Sequence, residues 1–214
     1  MHRFLGLVFV CALLVDGSAT RASGQAAPAT ATAFDYQAKF LDDMKDLQTK
    51  FVGLAQAIPQ DKYTWRPGDG VRSISEVFLH VTLGNYGLTH ALGTPLPDGF
   101  TVTPNFEKST TDKATIVDDL NKSFLFMTSS VQAMSAAELL KSAPGSRGGS
   151  MIGDDVLFTI VLDLHEHLGQ MIAYARQNGV VPPWTAERQA NQAARGRGTP
   201  PAPPSGVGAK TPSN

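Results

Sequence analysis

The sequence predicts an all-α protein, a four-helix bundle, on three observations. Four separate stretches repeat large apolar residues at steps of three and four, the period of a helix with one buried face. No pair of stretches alternates as two paired strands would. Breaks rich in Pro, Gly and Ser divide the four stretches from one another, and amphipathic helices of about four to seven turns bury their stripes most economically against each other.

Taken in chain order, the first segment is not part of that bundle. "MHR" precedes the apolar run "FLGLVFVCALLV" and then small and polar residues through "ATRASGQA", the layout of a secretory signal peptide with cleavage between Gly24 and Gln25. The run is too short to span a bilayer as a helix, so an exported protein, periplasmic or extracellular, without a stable membrane anchor is expected. Cys11, the only cysteine, lies inside that run behind "VFV", which lacks the small residues that precede a lipid-modified cysteine. The mature chain would carry no thiol, so neither disulfides nor a cysteine nucleophile enters its chemistry. Residues 25–33 read as a flexible lead-in to a bundle over residues 34–185.

The first helix covers about Phe34 to Ile58, with Phe40, Leu41, Met44, Leu47, Phe51 and Leu54 on its stripe, and Pro59 ends it. The second follows "RPGDGVR", where Ser73 or Ser75 can cap, and carries Ile74, Val77, Phe78 and Val81 toward Leu92. Residues 93–111 form a connection long enough to cross the end of a bundle, which permits the second and third helices to run parallel. The third runs from its cap Asp112 to Met134 through Ile116, Leu120, Phe124, Met127 and Val131. After the Gly- and Ser-rich link "SAPGSRGGS" the fourth runs from Met151 to Gln177, and Asn178-Gly179 followed by two prolines stop it. From Ala186 the chain loses its large apolar residues and packs five of its 14 prolines into the 13 positions 200–212, so residues 186–214 read as a disordered tail. Residues 25–185 hold 12 basic and 17 acidic side chains, a net −5, against +3 in the tail. Such a mildly acidic domain is not the electrostatic footprint of a nucleic-acid binder.

The fourth helix, "VLDLHEHLGQMIAYARQNGVVPPW", carries the chemical question. Asp163 and His167 are one turn apart and share the sector of Ile160, Leu164, Met171 and Tyr174, whereas His165 lies about 200° around the helix from Asp163. A carboxylate on a buried stripe costs several kcal/mol, or loses its charge, unless something compensates it. On the second helix His80 follows Val77 and precedes Gly84, so it borders that stripe as well. Two readings fit. A divalent metal bound by His80, Asp163 and His167 would neutralise the carboxylate and leave positions for water or substrate. Alternatively Asp163 and His167 form a hydrogen-bonded pair, and His80 is an ordinary interface residue.

The segments "YTWRPGDGVRSISEVFLHV" and "HEHLGQMIAYARQNGVVPPW" resemble the two characteristic segments of the DinB-like family, which includes the YfiT-type metal hydrolases, and the resemblance extends from about Phe34 to Trp184. It implies an up-down-down-up bundle with a long crossover between helices two and three, a metal triad of one histidine on helix two and two on helix four, and a homodimer. Mapped residue by residue, the triad falls on His80, Asp163 and His167. Asp163 stands where the commoner pattern has histidine, giving a set of two histidines and one carboxylate. The implied cofactor is a divalent ion, zinc, nickel, iron or manganese, and the implied partner a small-molecule substrate or ligand. Metal-dependent hydrolysis leads. A non-catalytic metal- or ligand-binding bundle and a metal-dependent thiol transferase are the alternatives, the last weakened by export because reduced thiol cofactors are scarce outside the cytoplasm.

The neighbouring residues carry smaller expectations. Gln170 is either a hydrogen-bond partner of a metal ligand or a helix–helix contact, and Tyr174 is a core residue close to the ligands. Trp65 is expected to plug the bundle mouth, Arg66 to make a structural ion pair, Gly169 to allow a close helix contact, and His90 to lie in solvent. Asp154 and Asp155 suit the start of the fourth helix. No Ser-His-Asp arrangement, phosphate loop or dinucleotide fingerprint offers a rival site.

Overall fold

Local signals place each helix. In the computed structural model, which describes residues 35–144 and 149–197, helix α1 spans Tyr36–Ala57, and the Asp35 side chain accepts the Ala38 amide at 2.9 Å as its N-cap. A 3-10 turn, Gln60–Lys62, follows Pro59. The loop after it is fastened to the next helix, since Ile74 donates to the Trp65 carbonyl and Ser75 to the Tyr63 carbonyl, while the buried Tyr63 hydroxyl donates back to Ala55 at 2.6 Å. Helix α2, Ile74–Ala91, starts with a capping box in which Ser73 and Glu76 each satisfy the other's backbone amide. Asp112 caps α3, Lys113–Ala133. A short helix α4, Ala136–Leu139, and a two-stranded antiparallel ladder, β1 Ser142–Pro144 with β2 Ser150–Ile152, lead into α5, Gly153–Gln177. Gly179, with φ of 73°, takes the left-handed turn that ends α5, and α6, Pro183–Arg197, follows.

The four long helices, α1, α2, α3 and α5, close the bundle. Helix α1 packs on α3 and α5, and α2 packs on the same two, so α1 and α2 lie across the core from each other. Side-chain contacts fix the directions. Gln37, at the start of α1, donates to the carbonyls of Val131 and Met134 at the end of α3, so these two are antiparallel. Asn85 donates to Ser123 at 3.0 Å, and Ala91 and Leu92 at the end of α2 line one cleft with Ala133 and Met134 at the end of α3, so α2 and α3 are parallel. His80 meets His167, and Gly84 faces Asp163, so α2 and α5 are antiparallel. The order is up-down-down-up. The crossover between α2 and α3 lies against the bundle through Phe100 and Phe106, Phe100 stacking on Tyr86 with ring centroids 4.0 Å apart.

The core is the set of stripes read from the sequence: Phe40, Met44, Leu47 and Phe51 from α1, Val77, Phe78 and Val81 from α2, Ile116, Leu120 and Phe124 from α3, and Ile160, Leu164 and Met171 from α5. Helix α2 is buried on more of its circumference than a simple stripe requires, adding Leu79, Thr82, Asn85 and Thr89, because two helices and the crossover all cover it.

Three expectations require correction. The ladder β1–β2 is a strand pair where none was expected; with three residues per strand it is too short for alternation to show. The boundary of the tail also moves, because residues 186–197 are helical. Ala, Glu, Gln and Arg are strong helix formers, Pro183 suits a first helical turn, and half-buried Trp184 packs on the core, with Lys50 of α1 6.0 Å from its ring centroid. Gly169 makes no close contact: it is exposed, and a Cβ there would meet nothing within 4 Å. The segment expected to be a signal peptide, the lead-in through residue 34, residues 145–148 and the tail beyond 197 lie outside the described residues. No described helix is long and apolar enough to cross a membrane.

Candidate metal centre

The bundle brings His80, Asp163 and His167 together. One ligating atom from each lies within 4.8 Å of the others, the one group of its kind among the described residues. The 3.6-residue period of α5 stacks Asp163 and His167 on one face, with Asp163 Oδ1 3.6 Å from His167 Nε2. Helix α2, running the opposite way, lays His80 against them, and the two imidazoles meet edge to face at 4.7 Å between centroids. Gly84 makes room one turn along: a Cβ there would stand 3.6 Å from Asp163 Oδ2, so a longer side chain would press on the carboxylate. The side chains of His167, His80 and Asp163 are 14%, 27% and 34% exposed, so the cluster sits at a bundle mouth rather than in the dry core.

Both imidazoles are oriented from behind. His80 Nδ1 lies 2.7 Å from Glu107 Oε1, and a carboxylate only accepts, so that nitrogen carries the proton and Nε2 presents its lone pair. Glu107 is held in turn by Arg72 through a bidentate pair at 2.6 and 3.1 Å. His167 Nδ1 donates to Gln170 Oε1 at 3.0 Å, and Gln170 Nε2 donates to the Tyr174 hydroxyl at 2.9 Å. Tyr174 is buried beneath the edge of Trp65, 5.3 Å between centroids at 78°. Metal-binding histidines are typically fixed in this way through their other ring nitrogen.

Charge on the site follows the geometry. The approach of His167 Nε2 to 3.6 Å holds the Asp163 carboxyl below its ordinary value against the opposing effect of burial, with the Arg72 charge assisting. The same pairing raises the His167 pKa, with burial opposing and Gln170 assisting. Burial acts to raise Glu107, but the bonds from Arg72 and His80 outweigh it and leave its carboxyl lowered. Without a metal, therefore, the pair is biased toward a carboxylate beside a protonated imidazole, with the proton on His167 Nε2 facing Asp163. The residues fit a divalent ion in that proton's place: one anionic oxygen and two neutral imidazoles, the Asp163–His167 separation already within the roughly 3–4 Å expected of two ligands on one ion.

The remaining expected residues separate cleanly from the cluster. His165 is exposed, with Nδ1 on the Val161 carbonyl at 2.9 Å, and His90 is exposed against the Thr94 carbonyl. Arg66 bonds Glu76 at 3.2 Å and the Val71 carbonyl at 2.9 Å, a structural pairing. Glu107 was not anticipated from the sequence. It lies 27 positions from His80 in an irregular crossover, where no helical period can place a side chain. The available signal was Phe106, an aromatic residue in a polar stretch, which marks where the crossover docks.

A bundle with a His-Asp-His cluster on two facing helices defines a class of small helical proteins suited to holding a metal at one mouth. The sequence matches the DinB superfamily over residues 43–171, and the chain belongs to that superfamily. Among solved structures, a DinB-like protein from Bacillus cereus is similar over 70% of this chain and 98% of its own, with a TM-score of 0.61 and 18% identity. YfiT from Bacillus subtilis, described as "a probable metal-dependent hydrolase with an unusual four-helix bundle topology", is similar over 72% of this chain and 94% of its own, with a TM-score of 0.55 and 11% identity. A mycothiol-dependent maleylpyruvate isomerase is similar over 63% of this chain and 60% of its own, with a TM-score of 0.50 and 11% identity. At these identities the likeness is one of fold. No curated protein matches the chain.

Proposed function

We propose that the protein is an exported metal-dependent hydrolase of small molecules, with one divalent ion, zinc, nickel, iron or manganese, held by His80 Nε2, Asp163 and His167 Nε2. The observation that carries this reading is the convergence of three ligating atoms within 4.8 Å while both histidines are fixed through Nδ1 by other residues. A metal bound there would supply Lewis acidity, lowering the pKa of a water molecule toward neutrality and polarising a substrate carbonyl or phosphoryl group. The chain's own residues do the rest. Glu107 and Gln170 hold Nδ1 of each imidazole so that Nε2 faces the cluster, where on His167 the ion would displace a proton, Asp163 contributes the negative charge, and Gly84 leaves the carboxylate unobstructed. Three protein ligands leave coordination open to water and substrate.

Elemental analysis of the mature protein, purified without added metal, tests the reading. Stoichiometric transition metal is expected. His80→Ala and His167→Ala should each lose it, His165→Ala should keep it, and Asp163→His should retain it, because imidazole suits the later first-row ions. Wild-type protein that takes up no metal after equilibration with each ion would leave the alternative of an Asp163–His167 pair in a non-catalytic bundle, which the raised His167 pKa favours. The isomerase neighbour supports thiol transfer as a third reading by fold alone. Export rests on the N-terminal sequence. Mass spectrometry of protein from its native host should find a new N-terminus near Gln25, and intact Met1 chain in the cytoplasm would refute it.

A further inference from the structure

A cleft of about 580 Å³ opens beside the His-Asp-His cluster, between the loop that precedes α2 and the 3-10 turn Phe106–Lys108 of the crossover. Its charged lining consists of Arg66, Arg72 and Lys108 against Glu76 and Glu107, and Gln170 completes the wall. Gln170 is also the residue that holds His167, so the cleft and the cluster share a side chain. The Arg72 charge reaches both Asp163 and His167.

The two carboxylates are already committed. Glu76 accepts from Arg66 through one oxygen and from the Ser73 amide through the other. Glu107 accepts from Arg72 through both oxygens and from His80 through one. Each arginine retains N–H donors beyond those it spends on its carboxylate, because a guanidinium carries five. Lys108 makes no ion pair or side-chain hydrogen bond among the described residues, so three cations against two paired carboxylates leave the cleft at +1. That surplus stands out in a domain whose residues 25–185 total −5.

We propose that this cleft is the anion-binding subsite of the metal centre and selects small substrates bearing a carboxylate or phosphate group. The anion lodges against Arg66, Arg72 and Lys108, and the rest of the molecule extends past Gln170 toward His167. The assignment rests on the metal-dependent reading for its role in a reaction, while the anion site itself does not need the ion. Its size suits a small molecule, and its partly screened charges favour anions most at low ionic strength.

The test uses the full mature chain stripped of metal by a chelator, so that an anion cannot bind through the ion. Inorganic phosphate, acetate and the neutral analogue acetamide are titrated at low salt, followed by the side-chain ¹⁵N resonances of Arg66, Arg72 and Gln170. Phosphate and acetate should give saturable shifts at these three residues with Kd of order 1 mM, and acetamide none. Lys108→Glu, which leaves every ion pair of the cleft intact, should weaken binding about tenfold or more, and Lys108→Arg should preserve it. No anion-dependent shift, equal shifts with acetamide, or undiminished binding by Lys108→Glu would overturn the subsite. Metal uptake is measured by elemental analysis on the same preparation after the chelator is removed and each divalent ion is added back. Uptake without anion shifts refutes the subsite alone, whereas anion shifts without uptake refute the metal reading and leave an anion pocket.

Discussion

Glu107 shows how much of a candidate site can depend on a residue outside the His-Asp-His cluster. It reaches from the crossover to His80 and is itself clamped by Arg72, so removing it releases the imidazole to rotate and to exchange its ring proton. Glu107→Ala should lower metal affinity about 10- to 100-fold with the three ligands intact, measured by competition with a chromogenic chelator; unchanged affinity would show that α2 alone orients His80. Protons compete for the same site. Because the pairing with Asp163 raises the His167 pKa, the proton that a metal must displace is held more tightly than on an ordinary histidine. Metal affinity should therefore fall as pH is lowered, starting above the usual histidine range, and Asp163→Asn should move the onset to lower pH. Glu76 governs a different pH response. Burial acts to raise its pKa, but the Ser73 amide and Arg66 outweigh burial and leave it lowered in the folded state. Its contribution to stability is present above the unfolded carboxyl value and is lost as pH falls through the lowered one. The pairing of Asp163 with His167 was legible in the sequence because a helix converts spacing into direction: four positions set Asp163 over His167, two set His165 aside. Glu107 was not legible, because a loop makes no such conversion.

At the scale of the element, most helix ends were written in single residues. Asp35, Ser73 and Asp112 cap α1, α2 and α3 through side-chain oxygens, and Gly179 turns the chain out of α5. Ser73→Ala should cost about 1–2 kcal/mol in chemical denaturation, since Ser73 is buried and its hydroxyl supplies one half of a reciprocal pair. Gly153 is a stricter case. A Cβ there would lie 2.7 Å from the Leu139 carbonyl oxygen and 2.8 Å from its Cα, so α5 begins in backbone contact with α4. Gly153→Ala should lower Tm despite the better helix propensity of alanine, whereas Gly169→Ala, which meets open space, should raise it slightly. Helix α6 escaped the sequence reading for an instructive reason. Its residues favour a helix, but it has no continuous apolar stripe, and its anchors, Pro182 and Trp184, lie at the start, where the prolines look like an ending.

For the molecule as a whole, stability depends on a core shared by all four long helices. Phe51 of α1 and Phe124 of α3 meet across it with ring centroids 6.0 Å apart, both fully buried. Phe51→Ala should destabilise by about 3–5 kcal/mol in equilibrium denaturation, without displacing any residue of the His-Asp-His cluster. The parallel pairing of α2 with α3 has a kinetic consequence. In an up-down-up-down bundle each helix can dock on its sequence neighbour across a tight turn, and folding proceeds by short chain closures. Here α1 and α2 lie across the core from each other, and the Asn85–Ser123 bond closes 38 positions. Native contacts therefore accumulate at high contact order for a helical protein, and refolding, followed by Trp65 and Trp184 fluorescence after denaturant dilution, should be slower than in a hairpin-connected bundle of equal length. The crossover that carries Glu107 is also the return that the parallel pairing of α2 with α3 requires, so one segment both orients His80 and joins the two parallel helices.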